Sequence, residues 1–196
     1  MNAKPGRRDE IMDASLRLIE RKGIQNLTTK NIAREVGFTE PGIYRHFASK
    51  EDILAAILER FRSVVNDRNR AILDGDMDPL DRIGAMYANT IGYFAENPSV
   101  TAAVFAEEIF QNSSRLSATV RRIMDRTQRA LRTTIRLGQE RGGVRGDLPD
   151  EQLALIVMGS FRLLVTRWRL SGRSFNLVRE GAKLWETVRA MLSAER

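Results

Sequence analysis

Residues 27–54 read LTTKNIAREVGFTEPGIYRHFASKEDIL, and this stretch decides the fold. It holds two short apolar patterns at helical spacing, separated by three residues that begin with Gly37. Thr28 and Thr39 suit N-cap positions, because a threonine hydroxyl accepts a hydrogen bond from the free N–H groups of a first helical turn. Gly37 suits a turn position with positive φ. The pattern predicts a helix-turn-helix unit at residues 28–47, in which the second helix enters the major groove of DNA.

Apolar residues recur at helical spacing along the rest of the chain, and no alternating run between turn signals indicates a strand. The sequence therefore predicts an all-α fold of nine helices. They span about residues 9–22, 29–36, 40–47, 49–72, 79–96, 98–111, 114–141, 149–170 and 176–193. Ser49 and Asp52 resemble a capping box at the start of the fourth helix, which bridges a functional boundary expected near residue 50.

Composition excludes several classes of protein. The 196 residues are 42% hydrophobic and 29% charged, which is close to the average for globular chains. With no cysteine and only His46, thiolate and histidine-rich metal sites are excluded, and we expect no metal and no cofactor. The longest apolar stretch, residues 153–165, is interrupted and too short for a bilayer, and no signal peptide is evident at the N-terminus. We expect a cytoplasmic protein without membrane contact.

Charge favours an anionic partner at the N-terminal end. The chain carries 32 Lys and Arg against 25 Asp and Glu, a net charge of +7. Ten basic and six acidic residues within positions 1–50 leave +4 in that quarter of the chain, which suits nucleic acid. Lys4, Arg7 and Arg8 form a basic tail for which two interpretations stay open, an arm in a minor groove or a solvated tail.

The stretch from Leu27 to Leu54 resembles the N-terminal DNA-binding signature of the TetR family of bacterial one-component transcriptional regulators. The likeness covers about 50 residues without a gap, and the chain length and helix count also fit. The resemblance implies a homodimer that binds a double-stranded DNA operator and whose C-terminal helices pair as a four-helix bundle. It also implies a small-molecule effector that lowers DNA affinity. On this view residues 1–50 form the DNA-binding domain, and residues 51–196 bind the effector and dimerise.

The resemblance also assigns DNA contacts by position. Thr29, Tyr44 and Lys50 are placed against phosphates, which fix register without reading sequence. The positions placed near base edges are Lys30, Glu40, Pro41, Gly42, Arg45 and His46, with Thr39 beside them as the N-cap. Arg45 suits guanine O6 and N7, whereas Glu40 suits the cytosine amino group.

Candidates for the effector site are the bulky apolar residues of the middle helices, because ligand pockets are lined mostly by such side chains. They are Phe61, Val65, Met86, Tyr87, Phe94, Phe105, Met124 and Phe161. The same residues also suit an ordinary core. Because Met and Phe adapt to hydrophobic ligands, the expected effector is apolar or aromatic.

Candidates for the dimer interface lie on the last two helices. The helix at 149–170 is apolar around much of its circumference and therefore needs cover on several sides. The candidates are Leu153, Ile156, Val157, Leu164, Trp168, Val178, Trp185 and Val188. The core of a single chain is the alternative for these residues.

Together with these patterns, the resemblance implies a ligand-responsive regulator, a repressor that binds a palindromic operator as a homodimer. Three alternatives stay open: an activator, a DNA-binding or division-regulating protein of the same fold without an effector, and a helical-bundle enzyme acting on an anionic substrate. Catalysis is not expected, because no nucleophile or second base accompanies His46 at recognisable spacing. The arginines of the helix at 114–141, Arg115 among them, are spread around it, which is typical of a solvated face, with a second anion site as the alternative.

Overall fold

Nine α-helices make up most of the computed structural model, which describes residues 6–105 and 113–194. The helices are α1 (Arg7–Lys22), α2 (Thr29–Val36), α3 (Glu40–Tyr44), α4 (Lys50–Asp74), α5 (Pro79–Glu96), α6 (Pro98–Val104), α7 (Ser114–Glu140), α8 (Asp150–Leu170) and α9 (Leu177–Leu192). A 3-10 turn at Ile24–Asn26 follows α1. Between the described residues the only β-type pairing is an isolated bridge of Val144 with Ser193. The all-α prediction is confirmed.

The predicted helix caps are formed by the residues that the sequence indicated. Thr28 accepts a hydrogen bond from the Asn31 N–H at 3.2 Å, and Thr39 accepts one from the Gly42 N–H at 3.2 Å. At the start of α4 the Ser49 hydroxyl accepts from the Asp52 N–H at 3.2 Å and donates to the Asp52 carboxylate at 2.9 Å. These bonds satisfy N–H groups that a helix leaves unpaired in its first turn.

The third helix ends at Tyr44 and not at residue 47, because the His46 N–H bonds to the Ile43 carbonyl only three residues back and tightens the chain into a turn. The sixth helix is described as far as Val104, and the remainder of its predicted span, residues 106–111, lies outside the described residues.

The described residues form two compact units, one of residues up to 62 with 98–121 and one of residues 63–97 with 122 onward. In the first unit α1 packs against α2 and α6. Its fully buried apolar side chains are Ile11, Leu18, Leu27, Ile32, Ile43, Ile53, Ile57 and Leu116. Each such side chain contributes about 1.5–3 kcal/mol by its removal from water. This core fixes the solvent-facing side of α2 and α3.

The second unit is built around α9, which packs against α5 and α8. Small residues allow the helices to approach closely: a Cβ at Gly84 would lie 2.5 Å from Trp185 Nε1, and one at Gly181 would lie 3.1 Å from Ile91. Phe94 is completely buried in this core. The assignment of functions to residues 1–50 and 51–196 stays a prediction. In the described part of the chain, every helix is too short or too polar to cross a bilayer.

Candidate nucleic-acid interface

The solvent-facing side of α3 and the turn after it carries most of the predicted base-edge residues. Glu40, Pro41 and Arg45 are exposed, and Gly42 and His46 are half-buried. Ile43 and Phe47 point the other way and are 1% and 3% exposed, so they anchor this segment to the core. We call residues 40–46 the recognition segment. Its polar side chains are held on a short, capped and anchored backbone, as base-reading requires.

Two predicted phosphate contacts lie next to each other. The Tyr44 hydroxyl donates to Thr29 Oγ1 at 3.4 Å, and Tyr44 is 53% exposed. The structure therefore brings the start of α2 and the end of α3 together at one polar edge. Lys30 is exposed on α2. Thr39 is exposed, and its hydroxyl oxygen caps α3 by accepting the hydrogen bond from Gly42 N–H.

Lys50 is the first residue of α4 and is exposed. A helix N-terminus carries a partial positive charge, which adds to the charge of this lysine in attracting a phosphate. Two residues later, Asp52 has a pKa below its ordinary value because Ser49 donates a hydrogen bond to it and because Arg115 lies beside it. Arg115 Nη1 is 2.5 Å from Asp52 Oδ1. Sequence reasoning missed this proximity, since no local pattern relates α7 to α4.

Arg7 and Arg8 form neither an arm nor a solvated tail, the two interpretations left open by the sequence. They are the first residues of α1, which begins two residues earlier than expected. The Arg8 guanidinium lies 4.1 Å from the centre of the Phe47 ring, and its Nη1 donates to the His46 carbonyl at 2.5 Å. Arg7 lies 5.1 Å from the ring of Phe38. Both arginines therefore brace the helix-turn-helix from outside, while Lys4 lies outside the described residues.

The effector-site candidates differ in burial. Tyr87 and Phe94 are buried and Phe161 is half-buried, and all three meet in one cluster of rings in the second unit. The Phe161 centroid lies 5.6 Å from that of Tyr87 and 5.8 Å from that of Phe94. Trp185, assigned from sequence to the dimer interface, joins the cluster 5.7 Å from Tyr87. Of the remaining candidates, Phe61 and Phe105 are buried, Val65 and Met86 are half-buried, and Met124 is 44% exposed.

The Tyr87 hydroxyl is buried without a hydrogen bond of ordinary length. Burial raises the pKa of Tyr87, and the Ser160 hydroxyl acts in the opposite direction. Across residues 6–105 and 113–194 there is no group of three or more His, Asp or Glu side chains that suits a metal ion.

Most dimer-interface candidates lie inside the chain itself. Leu153, Val157, Trp168, Trp185 and Val188 are each at most 8% exposed, because they pack in the core between α5, α8 and α9. Leu164 is half-buried, and Ile156 and Val178 are 38% and 51% exposed. Sequence reasoning missed the most exposed apolar side chains of α8, which are Leu155, Leu163 and Leu170 at 47%, 62% and 75%. Their spacing of eight and seven residues was the signal available for one helix face.

Comparisons with known proteins bear on the family and on the fold. Residues 11–57 match the family described as bacterial regulatory proteins, tetR family. Over 193 residues the chain is 28% identical to the nucleoid occlusion factor SlmA of Photobacterium profundum, covering 97% of this chain and 98% of that protein. The fatty acid degradation regulator FadR from Bacillus halodurans has the same fold, with a TM-score of 0.85 at 19% identity, covering 98% of this chain and all of that one.

A transcriptional regulator from Saccharomonospora viridis, solved in complex with choline, gives a TM-score of 0.80 at 26% identity, covering 96% of this chain and 98% of that one. The matched family and the two solved structures are described as regulators. The fold and the exposed recognition segment together define a helix-turn-helix DNA-binding regulator. Residues 11–57 match the tetR family, and the resemblance seen in the stretch from Leu27 to Leu54 is thereby confirmed.

Proposed function

We propose that this protein is a repressor that binds a palindromic DNA operator as a homodimer and is released by a small-molecule effector. The observation that carries the DNA-binding part is the recognition segment. Its exposed side chains Glu40, Pro41 and Arg45 lie on α3 and at its end, and Thr39 caps and Ile43 anchors this helix. Arg45 and Glu40 read bases, while Thr29, Tyr44 and Lys50 bind phosphates. Residues 1–50 carry this activity, and residues 51–196 carry dimerisation and the response to the effector.

The homodimer is supported by the apolar surface of α8. Large apolar side chains of α8 are exposed to water, namely those of Leu155, Ile156, Leu163 and Leu170. Val178 on α9 is exposed as well. Exposed apolar side chains gathered on one helix favour burial against a partner, and a second copy offers the same surface in return. A twofold dimer presents two recognition segments, which is why the operator is palindromic.

The effector is supported by the ring cluster of Tyr87, Phe94 and Phe161. Aromatic side chains with few polar groups are typical of sites for apolar ligands. The buried Tyr87 hydroxyl has a proton to donate, so a ligand that is mainly apolar or aromatic gains orientation from one acceptor group placed there. The effector acts by binding one conformation more tightly than the DNA-binding one, since equal binding to both shifts nothing.

Exchange of Leu163 for Glu tests the dimer. A carboxylate at this position is fully solvated in a monomer but loses water in an interface, so we expect Leu163→Glu to dissociate the dimer in analytical ultracentrifugation. Specific DNA binding should fall with it, because one chain then contacts one half-site. Leu73→Glu on α4, where the side chain is 44% exposed, is the matched control and should leave the dimer intact. An unchanged dimer for Leu163→Glu would show that another surface pairs.

The 28% identity to a nucleoid occlusion factor over nearly the full length favours a second candidate function. In this alternative the chain binds specific DNA sites, takes a protein partner and needs no small effector. Mapping of chromosomal binding sites distinguishes the two. A repressor occupies a few promoters, whereas an occlusion factor occupies many sites distributed over the chromosome, and no small molecule releases it from them.

A further inference from the structure

The start of α7 reaches the N-terminus of α4 in the first unit. Arg115 Nη1 contacts Asp52 Oδ1 at 2.5 Å, and the Arg115 side chain is 60% exposed while that of Asp52 is 21% exposed. Asp52 also accepts a hydrogen bond from Ser49, the cap of α4. The guanidinium of Arg115 therefore contacts a carboxylate in the first turn of α4, the helix that begins at Lys50.

Asp52 presents an electrostatic problem for DNA binding. A carboxylate two residues after Lys50 repels a phosphate that approaches the α4 N-terminus. Arg115 neutralises this charge through the contact of its Nη1 with Asp52 Oδ1. The guanidinium has five N–H donors in a planar fork, so most of its donors still face solvent from a side chain that is 60% exposed. Planar forks of this kind bind phosphate oxygens in pairs.

We propose that Arg115 belongs to the DNA-binding surface, where it binds a backbone phosphate beside the one held by Lys50 while it neutralises Asp52. The proposal rests on the proposed contact of Lys50 with DNA. It extends the interface beyond the helix-turn-helix to a residue of α7, and it gives the Arg115–Asp52 pair a role in binding as well as in packing.

The test measures the dissociation constant for a selected operator duplex over a series of salt concentrations. Each phosphate neutralised contributes about 0.9 to the slope of log Kd against log salt. A dimer on its operator loses one such contact in each half-site, so we expect Arg115→Ala to lower that slope by about 1.8. Binding near 0.1 M salt should weaken about tenfold for each half-site, the size of one charged hydrogen-bonded contact. The control is Arg121→Ala, which removes the same charge from the exposed surface of the same helix and should change the slope little.

A second comparison separates phosphate binding from simple neutralisation of Asp52. The Asp52→Asn background lacks the carboxylate that Arg115 contacts, so an Arg115 that acts only by neutralising Asp52 becomes dispensable. We expect the double variant Asp52→Asn/Arg115→Gln to have a lower slope of log Kd against log salt than Asp52→Asn alone. An equal slope for these two variants, or an equal effect of Arg115→Ala and Arg121→Ala, overturns the proposal. Circular dichroism spectra identify any variant that has lost its fold. If Arg115→Ala is such a variant, the comparison of Asp52→Asn/Arg115→Gln with Asp52→Asn decides whether Arg115 binds a phosphate.

Lys50→Ala distinguishes failure of this inference from failure of the proposed function. If Lys50→Ala lowers the slope and Arg115→Ala does not, Arg115 lies outside the interface while the helix-turn-helix still binds. If neither variant changes the slope of a protein that binds its operator, the α4 N-terminus does not face DNA and the inference also falls. If the wild-type protein selects no duplex at all, the proposed function itself is contradicted.

Discussion

At the scale of single residues, the cap and turn positions followed directly from the sequence. Thr28, Thr39 and Gly37 act on their own backbone within three or four residues, so their roles were predictable without the fold. The bracing role of Arg8 was not predictable, because its two partners, Phe47 and the His46 carbonyl, lie far along the chain. Hydrogen bonds between residues close in sequence can be predicted from the sequence, whereas contacts between distant residues depend on how the helices pack.

Arg8 is expected to position the recognition segment without binding DNA itself. Arg8→Ala removes the donor to the His46 carbonyl and the cation that stacks on Phe47, so the end of the segment loosens and specific affinity falls several-fold. Because no phosphate contact is lost, the slope of log Kd against log salt stays unchanged. Hydrogen exchange of the amides at residues 45–47 should accelerate in parallel.

Two further variants test this account of Arg8. Arg8→Lys keeps the charge but loses the planar group that stacks and donates together, so it should resemble Arg8→Ala. Arg17→Ala, on the same helix, removes an exposed arginine that pairs with Glu35 and should leave the recognition segment unchanged. A lower salt slope for Arg8→Ala together with full recovery by Arg8→Lys would contradict the positioning role and indicate a phosphate contact.

At the scale of helices, periodicity predicted where each helix lies but not which neighbour covers it. Leu153, Trp168 and Trp185 have the apolar spacing of an interface, and that spacing is the same for an internal core. The structure places them inside the chain and leaves Leu155 and Leu163 outside. Which side of an all-apolar helix faces solvent is decided by the packing of other elements, so sequence alone does not decide it.

The two glycines of α5 are expected to respond in opposite directions to exchange for alanine. A Cβ at Gly84 would lie 2.5 Å from Nε1 of the rigid Trp185 ring, so Gly84→Ala should destabilise the protein by about 1–3 kcal/mol. A Cβ at Gly92 meets nothing within 4 Å, so Gly92→Ala should stabilise it by about 0.5–1 kcal/mol through helix propensity. Urea unfolding at one fixed protein concentration measures both. Shifts of the same sign would contradict the close approach of α5 and α9.

At the scale of the whole molecule, the fold class and the kind of partner followed from the sequence, but the extent of the interface did not. The +7 charge and the stretch from Leu27 to Leu54 predicted DNA binding at the N-terminal end. The match of residues 11–57 to the tetR family confirms the resemblance, and the fold shared with FadR of Bacillus halodurans confirms the fold class. The first unit, however, includes the start of α7, and with it Arg115, which local patterns did not place near α4.

The most direct test of the central claim is selection of bound duplexes from a random DNA pool by the wild-type protein, Arg45→Ala and Tyr44→Phe. We expect the wild type to enrich a palindrome. Arg45→Ala should relax base preference at one position of each half-site, because a paired contact to guanine contributes about 1–3 kcal/mol of discrimination. Tyr44→Phe should weaken all sites about equally, since a phosphate contact carries no sequence information. Enrichment of no sequence, or unchanged base preference for Arg45→Ala, would contradict the assignment of the recognition segment.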